Sequence, residues 1–434
     1  MKKLEQLAEL VLAEAAAAGA DSAQCTVMGS ETREFNVDGG DFSLMRTLFD
    51  SYITLSVLKE HRLGSVTVNR FDADSLRRAA AECVAAAEGA EPDEAREFAP
   101  GPAEADYLLG KPDPEAEALF DRVSELMADT TARHPKILME QLVAEHILTR
   151  SVYKNSNGVT RRKLAGQYGA DLTYSAHDGD SGTSMYGGSV RLDSLDRPFI
   201  ECALLDREMG EVEAQLGAEP VSGKFNGTVL FAPACLAGNV FGQAIDIFAS
   251  DSSLIDGTSL WKDMLGQRVA DERITLSLAP HDPRIVCGQR WTGEGFAAED
   301  FDLIRAGVLE SFCLSRYAAN KTGNKRAKNT SSAMIVPPGD TPLADIIAGI
   351  DRGIYLMRFS GGRPGVSGEF SGVAKNGFLI ENGRLTKPLT ETMISGNLAD
   401  MLQNLRAVSR ELLEDGTLSV PYMAFDGVTI SGKT

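Results

Sequence analysis

Apolar residues first recur at helical spacing, at Leu4, Leu7, Leu10 and Val11. Alanines follow, and Gly19 can take the left-handed conformation that ends a helix. The pattern then shortens. Ala23 to Met28, Thr32 to Val37 and Ser51 to Leu58 are short β-branched or aromatic runs, and a polar turn ending at Gly64 leads into Ser65 to Asn69. Asp72 or Asp74 can cap an alanine-rich helix reaching about Glu88. Gly89 to Asp113 is acidic, Pro-rich and weakly periodic, and reads as an exposed connection. A helix is expected from Pro114 to about Thr130, with Asp113 as its cap and Pro114 where a missing N–H costs nothing. Period two then returns in Ile137 to Ala144, His146 to Lys154, Val159 to Ala165, Tyr168 to Ser175 and Ser184 to Leu192. The Asn155 to Gly158 stretch supplies a hairpin turn.

A helix from about Ile200 to Leu216 is expected to lead to a boundary at Gly217 to Gly223, dividing the chain into domains 1–220 and 221–434. The second half opens with a strand, Gly227 to Phe231, and a helix, Pro233 to Ser250, with apolar positions at Val240, Phe241, Ala244, Ile245 and Phe248. Strands follow at Ile274 to Leu278, in a hairpin centred on Gly307, and at Ser332 to Val336, Gly353 to Phe359, Phe370 to Lys375, Gly377 to Ile380 and Val428 to Ser431. Helices are expected at Pro342 to Ile350 and from Gly396 to about Ser409. Glycine-centred hairpins in both halves point to an α+β fold with largely antiparallel sheets.

Composition narrows the function. A formal charge of −19 with few Lys/Arg clusters excludes a nucleic-acid partner as the expectation, because phosphate binding depends on such clusters. Arg161-Arg162-Lys163 and Lys325 to Lys328 are short and read as solvated ends. No apolar run is long enough to cross a bilayer, and Glu5, Glu9 and Glu14 interrupt any signal-like core, so no membrane and a cytoplasmic location are expected. The six cysteines form no CxxC pair and read as reduced thiols.

Several stretches of the second half resemble one family in order and spacing: Thr228 to Pro233, Gly266 to Val269, Gly293-Glu294-Gly295, Ile304 to Ser311, Thr322-Gly323-Asn324, Val336 to Gly339, Gly368 to Gly372, Lys375 to Asn382 and Val428 to Lys433. This is the TldD/PmbA family, once called modulators of DNA gyrase. The resemblance implies a two-domain α+β protein that pairs a TldD-like with a TldE-like chain, with one zinc peptidase site on the TldD side. The family's zinc motif, HExxxH, falls on Gly242 to Ile247, which reads Gly-Gln-Ala-Ile-Asp-Ile. Catalytic zinc needs about three His, Cys or carboxylate ligands and a base for its water. Gly242 and Ile247 cannot ligate, and Gln243 cannot act as a base. Asp246 is one position short, displaced by roughly 100° on an ideal helix, and no cysteine follows Cys313.

The other constellations read as structural. The five histidines never stand three to five apart. His177-Asp178-Gly179-Asp180 lacks the later ligands of a calcium loop. Nothing fixes His281 and Asp282 against Cys287, and Ser360 to Gly372 reads as a flexible or substrate-covering loop rather than a phosphate loop. Glu294, Thr322, Gly323 and Asn324 are the candidates for peptide or partner contacts. The expected function is a TldE/PmbA-type subunit without bound metal, inactive alone, beside a TldD-like subunit that holds zinc and processes extended peptide. The alternatives are a homo-oligomeric peptide-binding or scaffolding protein, including a homodimer when isolated, and an independent metallopeptidase with displaced ligands.

Overall fold

Two long β-hairpins organise the first half of the chain, whose computed structural model describes residues 1–432. Lys433, the end of the last family-like stretch, lies outside them. The elements are α1 (Lys2–Ala17), β1 (Ser22–Asp38), β2 (Asp41–Lys59), β3 (Arg62–Val68), α2 (Ala73–Glu88), β4 (Ala103–Gly110), α3 (Ala116–Arg133), β5 (Ile137–Asn155), β6 (Val159–Asp178), β7 (Ser181–Gly182), β8 (Tyr186–Leu192) and α4 (Leu205–Glu213). The sheet runs β3-β2-β1-β5-β6-β4, with β7 and β8 also on β6. α1 and α2 bury Val11, Leu76, Cys83 and Val84 against Cys25, Ile53 and Leu55 of the sheet.

Several expected runs merge. The two runs assigned to residues 23–37 are one strand, as are those in 137–154 and in 159–175. The turn before β3 is made by Glu60 and His61, both at positive φ. Gly64 instead lies inside β3, where an added Cβ would stand 2.0 Å from the Cys83 carbonyl oxygen. The connection 89–113 contains β4, which pairs in parallel with β6 from Ala103 to Gly110. Asp72 caps α2 as expected, accepting from the Ser75 N–H at 2.9 Å. α3 starts later than expected, with Glu115 rather than Asp113 at its cap position. The helix assigned to 200–216 is broken by Ala203 and Leu204, both at positive φ, so only Leu205–Glu213 is α-helical.

The second half comprises β9 (Lys224–Phe231), α5 (Pro233–Leu236), α6 (Asp251–Ile255), β10 (Leu276–Leu278), β11 (Phe301–Arg305), β12 (Val308–Leu309), α7 (Arg316–Thr322), β13 (Met334–Ile335), α8 (Leu343–Ala348), β14 (Arg352–Gly361), β15 (Glu369–Glu381), β16 (Arg384–Pro388), β17 (Thr392–Asn397), α9 (Leu398–Gln403), β18 (Leu405–Glu414) and β19 (Ser419–Ser431). Residues 404–409, expected in a helix, fall largely in β18. β9 pairs with β14, β14 with β15, β15 with β17, β17 with β19, and β19 with β9 again. These five strands therefore close into a ring and have no free edge among themselves. α5 continues into two π-helical segments, Ala237–Gly242 and Ile245–Ala249. Val240, Phe241, Ile247 and Phe248 are buried there in one core with Val229, Phe231, Ile354, Leu356 and Phe425 of the ring.

A second core crosses the expected division at 220/221. Phe199, Leu205 and Met209 pack with Leu230, Tyr355 and Tyr422. Polar bonds join the same surfaces: the Tyr355 hydroxyl donates to Glu211 at 2.7 Å, and the Asn376 side-chain amide donates to Gln215 at 2.9 Å.

Candidate functional site

The helix after β9 packs against one face of the ring strands, and a pocket of about 180 Å³ opens between them. From the helix come Asn239, Val240, Gln243 and Asp246, at the spacings of four and three that place side chains along one face. The ring supplies Phe231, Phe359, Phe370 and Ile394, and Met401 of α9 closes one side. The segment Gly361 to Pro364 forms another wall. This is the start of the glycine-rich stretch expected to cover a substrate.

Three polar groups define the pocket's chemistry. Arg363 pairs with Asp246 at 2.7 Å, both partly exposed. Asn239 accepts from the Cys235 thiol at 3.5 Å, and burial pushes that thiol up to about 12, so it stays protonated. The Gln243 Oε1 atom is buried without a hydrogen-bond partner in the chain. A buried amide without a partner costs on the order of 1–3 kcal/mol. The pocket thus joins aromatic walls to an unmet amide and a charge pair, a combination suited to an apolar side chain next to a peptide group.

The helix hydrogen-bonds in the π pattern over Ala237–Gly242 and Ile245–Ala249. In an α-helix, positions five apart point well away from each other. An i→i+5 pattern brings them closer to one face, and such segments recur at functional sites. Asp246, three positions after Gln243, lines the pocket beside it, while Ile247 does not line it.

The residues present do not fit a catalytic zinc. At Gly242 an added Cβ would meet the Ala237 carbonyl oxygen at 3.1 Å, and Ile247 is 5% exposed within the core. Asp246, the one carboxylate on this face, already faces a guanidinium. Among the described residues no group of three or more His, Cys, Asp or Glu side chains could hold a metal ion.

The four other candidates sit elsewhere, and none lines this pocket. The Glu294 carboxylate accepts from the backbone N–H groups of Arg316 and Tyr317 at 3.0 and 3.3 Å, at the start of α7. Burial raises its pKa, opposed by those two bonds. Its own carbonyl accepts from the Tyr153 hydroxyl at 2.9 Å and from the Ala99 N–H at 3.0 Å. Thr322, Gly323 and Asn324 close the other end of α7. The Thr322 hydroxyl donates to the Ala318 carbonyl at 2.8 Å, Gly323 has a φ of +72°, and the Asn324 amide donates to Thr322 at 3.1 Å. The family-like residues 293–295 and 322–324 thus meet on one short helix. Asn239, Phe359, Arg363 and Phe370 were not anticipated. The spacing Asn239, Gln243, Asp246 on a helix directly after a strand was the signal for the first of them.

Comparison with known proteins agrees with this architecture. The family model for the PmbA/TldA metallopeptidase C-terminal domain matches residues 222–432. A metalloprotease from Methanothermobacter thermautotrophicus is 28% identical over 280 residues, 60% of this chain and 60% of that protein. A PmbA-homologue metalloprotease from Haemophilus influenzae is 25% identical over 294 residues, 65% of this chain and 62% of that protein. The match thus spans about three-fifths of the length of each of these relatives. Among solved structures, TldE from Thermococcus kodakarensis superposes with a TM-score of 0.83 at 21% identity, over 98% of this chain and 100% of that one, a likeness of fold. No helix among the described residues is long and apolar enough to cross a membrane.

Proposed function

The chain belongs to the TldD/PmbA family, and from that premise we propose that it is the TldE/PmbA-type, non-zinc-binding subunit of a cytoplasmic metallopeptidase complex. A TldD-like partner supplies the metal, and this chain contributes a pocket that holds part of an extended peptide. One observation carries the reading. The helix on which the resemblance sets the family's zinc motif faces the pocket with Asn239, Gln243 and Asp246, while the motif positions Gly242, Gln243 and Ile247 offer no ligand and no base. A pocket without the donors for hydrolysis is suited to binding.

Co-expression with a TldD-like chain bearing an intact HExxxH motif tests this. A stable complex that hydrolyses peptides, with the metal accounted for by the partner, is the expected result. Two proteins that purify apart, or one tightly bound zinc with peptidase activity in this chain alone, would refute it. The second reading is a homo-oligomeric peptide-binding scaffold without peptidase. It draws support from the uncovered strand edge of β2, and it predicts peptide binding that a TldD-like chain leaves unchanged.

A further inference from the structure

The basic triplet Arg161-Arg162-Lys163 is not a solvated end. It stands in β6 between β5 and β4, and strand alternation sends its members to opposite faces of the sheet. Arg162 points to the side of α1, where Glu5, Glu104 and Asp106 hold it. Arg161 and Lys163 point to the other side, toward the loop that carries Arg290 and Trp291.

That side holds cations without acids to match them. Arg161 is 9% exposed, yet its Nε is buried without a hydrogen-bond partner, and no carboxylate among the described residues pairs with it. Lys163 also lacks a carboxylate; its Nζ lies over the Trp291 ring, 5.7 Å from the centroid, and Trp291 stacks on Tyr107 of β4 at 5.9 Å. Burial lowers the Lys163 pKa, with the Cys287 thiol opposing that fall and the Arg290 guanidinium adding to it. Arg290 donates only to the carbonyls of Pro280 and Gln289. The Glu294 carboxylate is engaged by the N–H groups of Arg316 and Tyr317, and Asp193, which acts on Cys287, pairs with neither Lys163 nor Arg290. A buried charge without a counter-charge is among the costliest features a fold can carry. Acids are not scarce, since the chain has 62 of them to 43 bases.

We propose that this corner binds a phosphate dianion, free or as the end group of a small phosphorylated molecule, through Arg161, Lys163 and Arg290. A guanidinium fork and an ammonium group match phosphate oxygens. Three positive charges with no paired acid suit a dianion better than the single charge of a carboxylate. Ser151 stands opposite Lys163 on β5, hence on the same face, and adds a buried hydroxyl. Tyr107, Lys163, Arg290 and Trp291 are half-buried, which leaves the corner open to solvent. It shares no residue with the pocket beside the helix after β9.

Trp291 reports on the site, because the other tryptophan, Trp261, is 3% exposed in the core of the second half. Titrating the full chain with inorganic phosphate at constant ionic strength is expected to change tryptophan emission with a Kd of about 1 mM or tighter and to raise the thermal midpoint. Trp291→Phe loses the emission change and keeps the midpoint shift. Arg161→Met weakens binding by about tenfold or more, and without phosphate its midpoint equals or exceeds that of the wild type, because a buried unpaired charge is gone. Lys163→Met, at a half-exposed position, carries the same expected loss should Arg161→Met fail to fold. Lys387→Met, on β16 outside the site, binds as the wild type does. Phenyl phosphate binding more tightly than inorganic phosphate would assign the site to an organic phosphate, and equal or weaker binding to the free anion. No response to phosphate, a response undiminished in either site variant, or acetate acting as well as phosphate would overturn the proposal.

Discussion

Replacing Glu208 by glutamine should change how stability depends on pH. Glu208 lies on α4, 4% exposed, in the layer between the two halves. The Tyr186 hydroxyl donates to it at 3.1 Å. Burial pushes its carboxyl up to about 8. The Tyr186 bond and Arg207 oppose that rise, and Glu211 adds to it. The native carboxyl is therefore neutral where an unfolded one, at its ordinary value of 4.5, is charged. Below pH 4.5 both states are protonated and the contribution of this group to stability is fully present. Between 4.5 and about 8 unfolding releases a proton, and stability falls as pH rises through the folded pKa. At about 1.4 kcal/mol per pKa unit, the loss across that window is on the order of 5 kcal/mol at most. Relaxation around the buried charge reduces this to roughly 2–5 kcal/mol. Glutamine has nearly the same shape, retains an acceptor for Tyr186 and does not titrate. Urea unfolding followed by tyrosine fluorescence at pH 5 and pH 8.5 checks this: the wild-type midpoint falls with pH and the Glu208→Gln midpoint falls distinctly less. Parallel falls in the two proteins would show that Glu208 ionises without a penalty and would refute the reasoning.

Three further outcomes follow from the geometry. Gly353→Ala sets a Cβ 2.2 Å from the Thr228 carbonyl oxygen, where β14 meets β9, so it should lower stability by about 3 kcal/mol or more, read as a thermal midpoint or as loss of soluble protein. Glu294→Ala leaves the Arg316 and Tyr317 N–H groups without their acceptor and should cost about 1–3 kcal/mol in chemical denaturation; an unchanged midpoint would mean water replaces the carboxylate. Gln243→Leu removes a buried oxygen that has no partner and should raise stability by about 1 kcal/mol while weakening capture of extended peptides in a fluorescence-anisotropy titration; equal affinity would remove Gln243 from the binding pocket.

The order of elements was largely legible in the sequence, and their lengths were not. Apolar spacing identified α1, α2 and the helix behind β9, because each buries one stripe against a sheet. β1 reads as two runs because its middle leaves the core: residues 29–33 are half-exposed, and their polar side chains hide the alternation. β4 reads as a connection because it is an edge strand with every second residue exposed, in an acidic stretch. The first half of β18 reads as the end of a helix from Gly396 to about Ser409, because Leu405 and Val408 stand three apart after Leu398, Met401 and Leu402. The register shift between Leu405 and Ala407 produces that spacing in a strand. At the site, the missing metal donors could be read from residue types alone. Arg363 and Phe370 could not, since they lie far along the chain from the helix they face and only the pairing of the ring strands brings them there.

That closure also orders events during synthesis. β9 is made first among the ring strands and β19 last, yet the two are neighbours from Lys224 to Ser431. Until residue 431 has left the ribosome, β9 and β17 both present raw edges, and the helix after β9 lacks the core side chains that β19 supplies. A nascent chain stalled within the preceding hundred or so residues should consequently be a substrate for chaperones that shield unpaired strands, a vulnerability that ends abruptly when the final strand slots in.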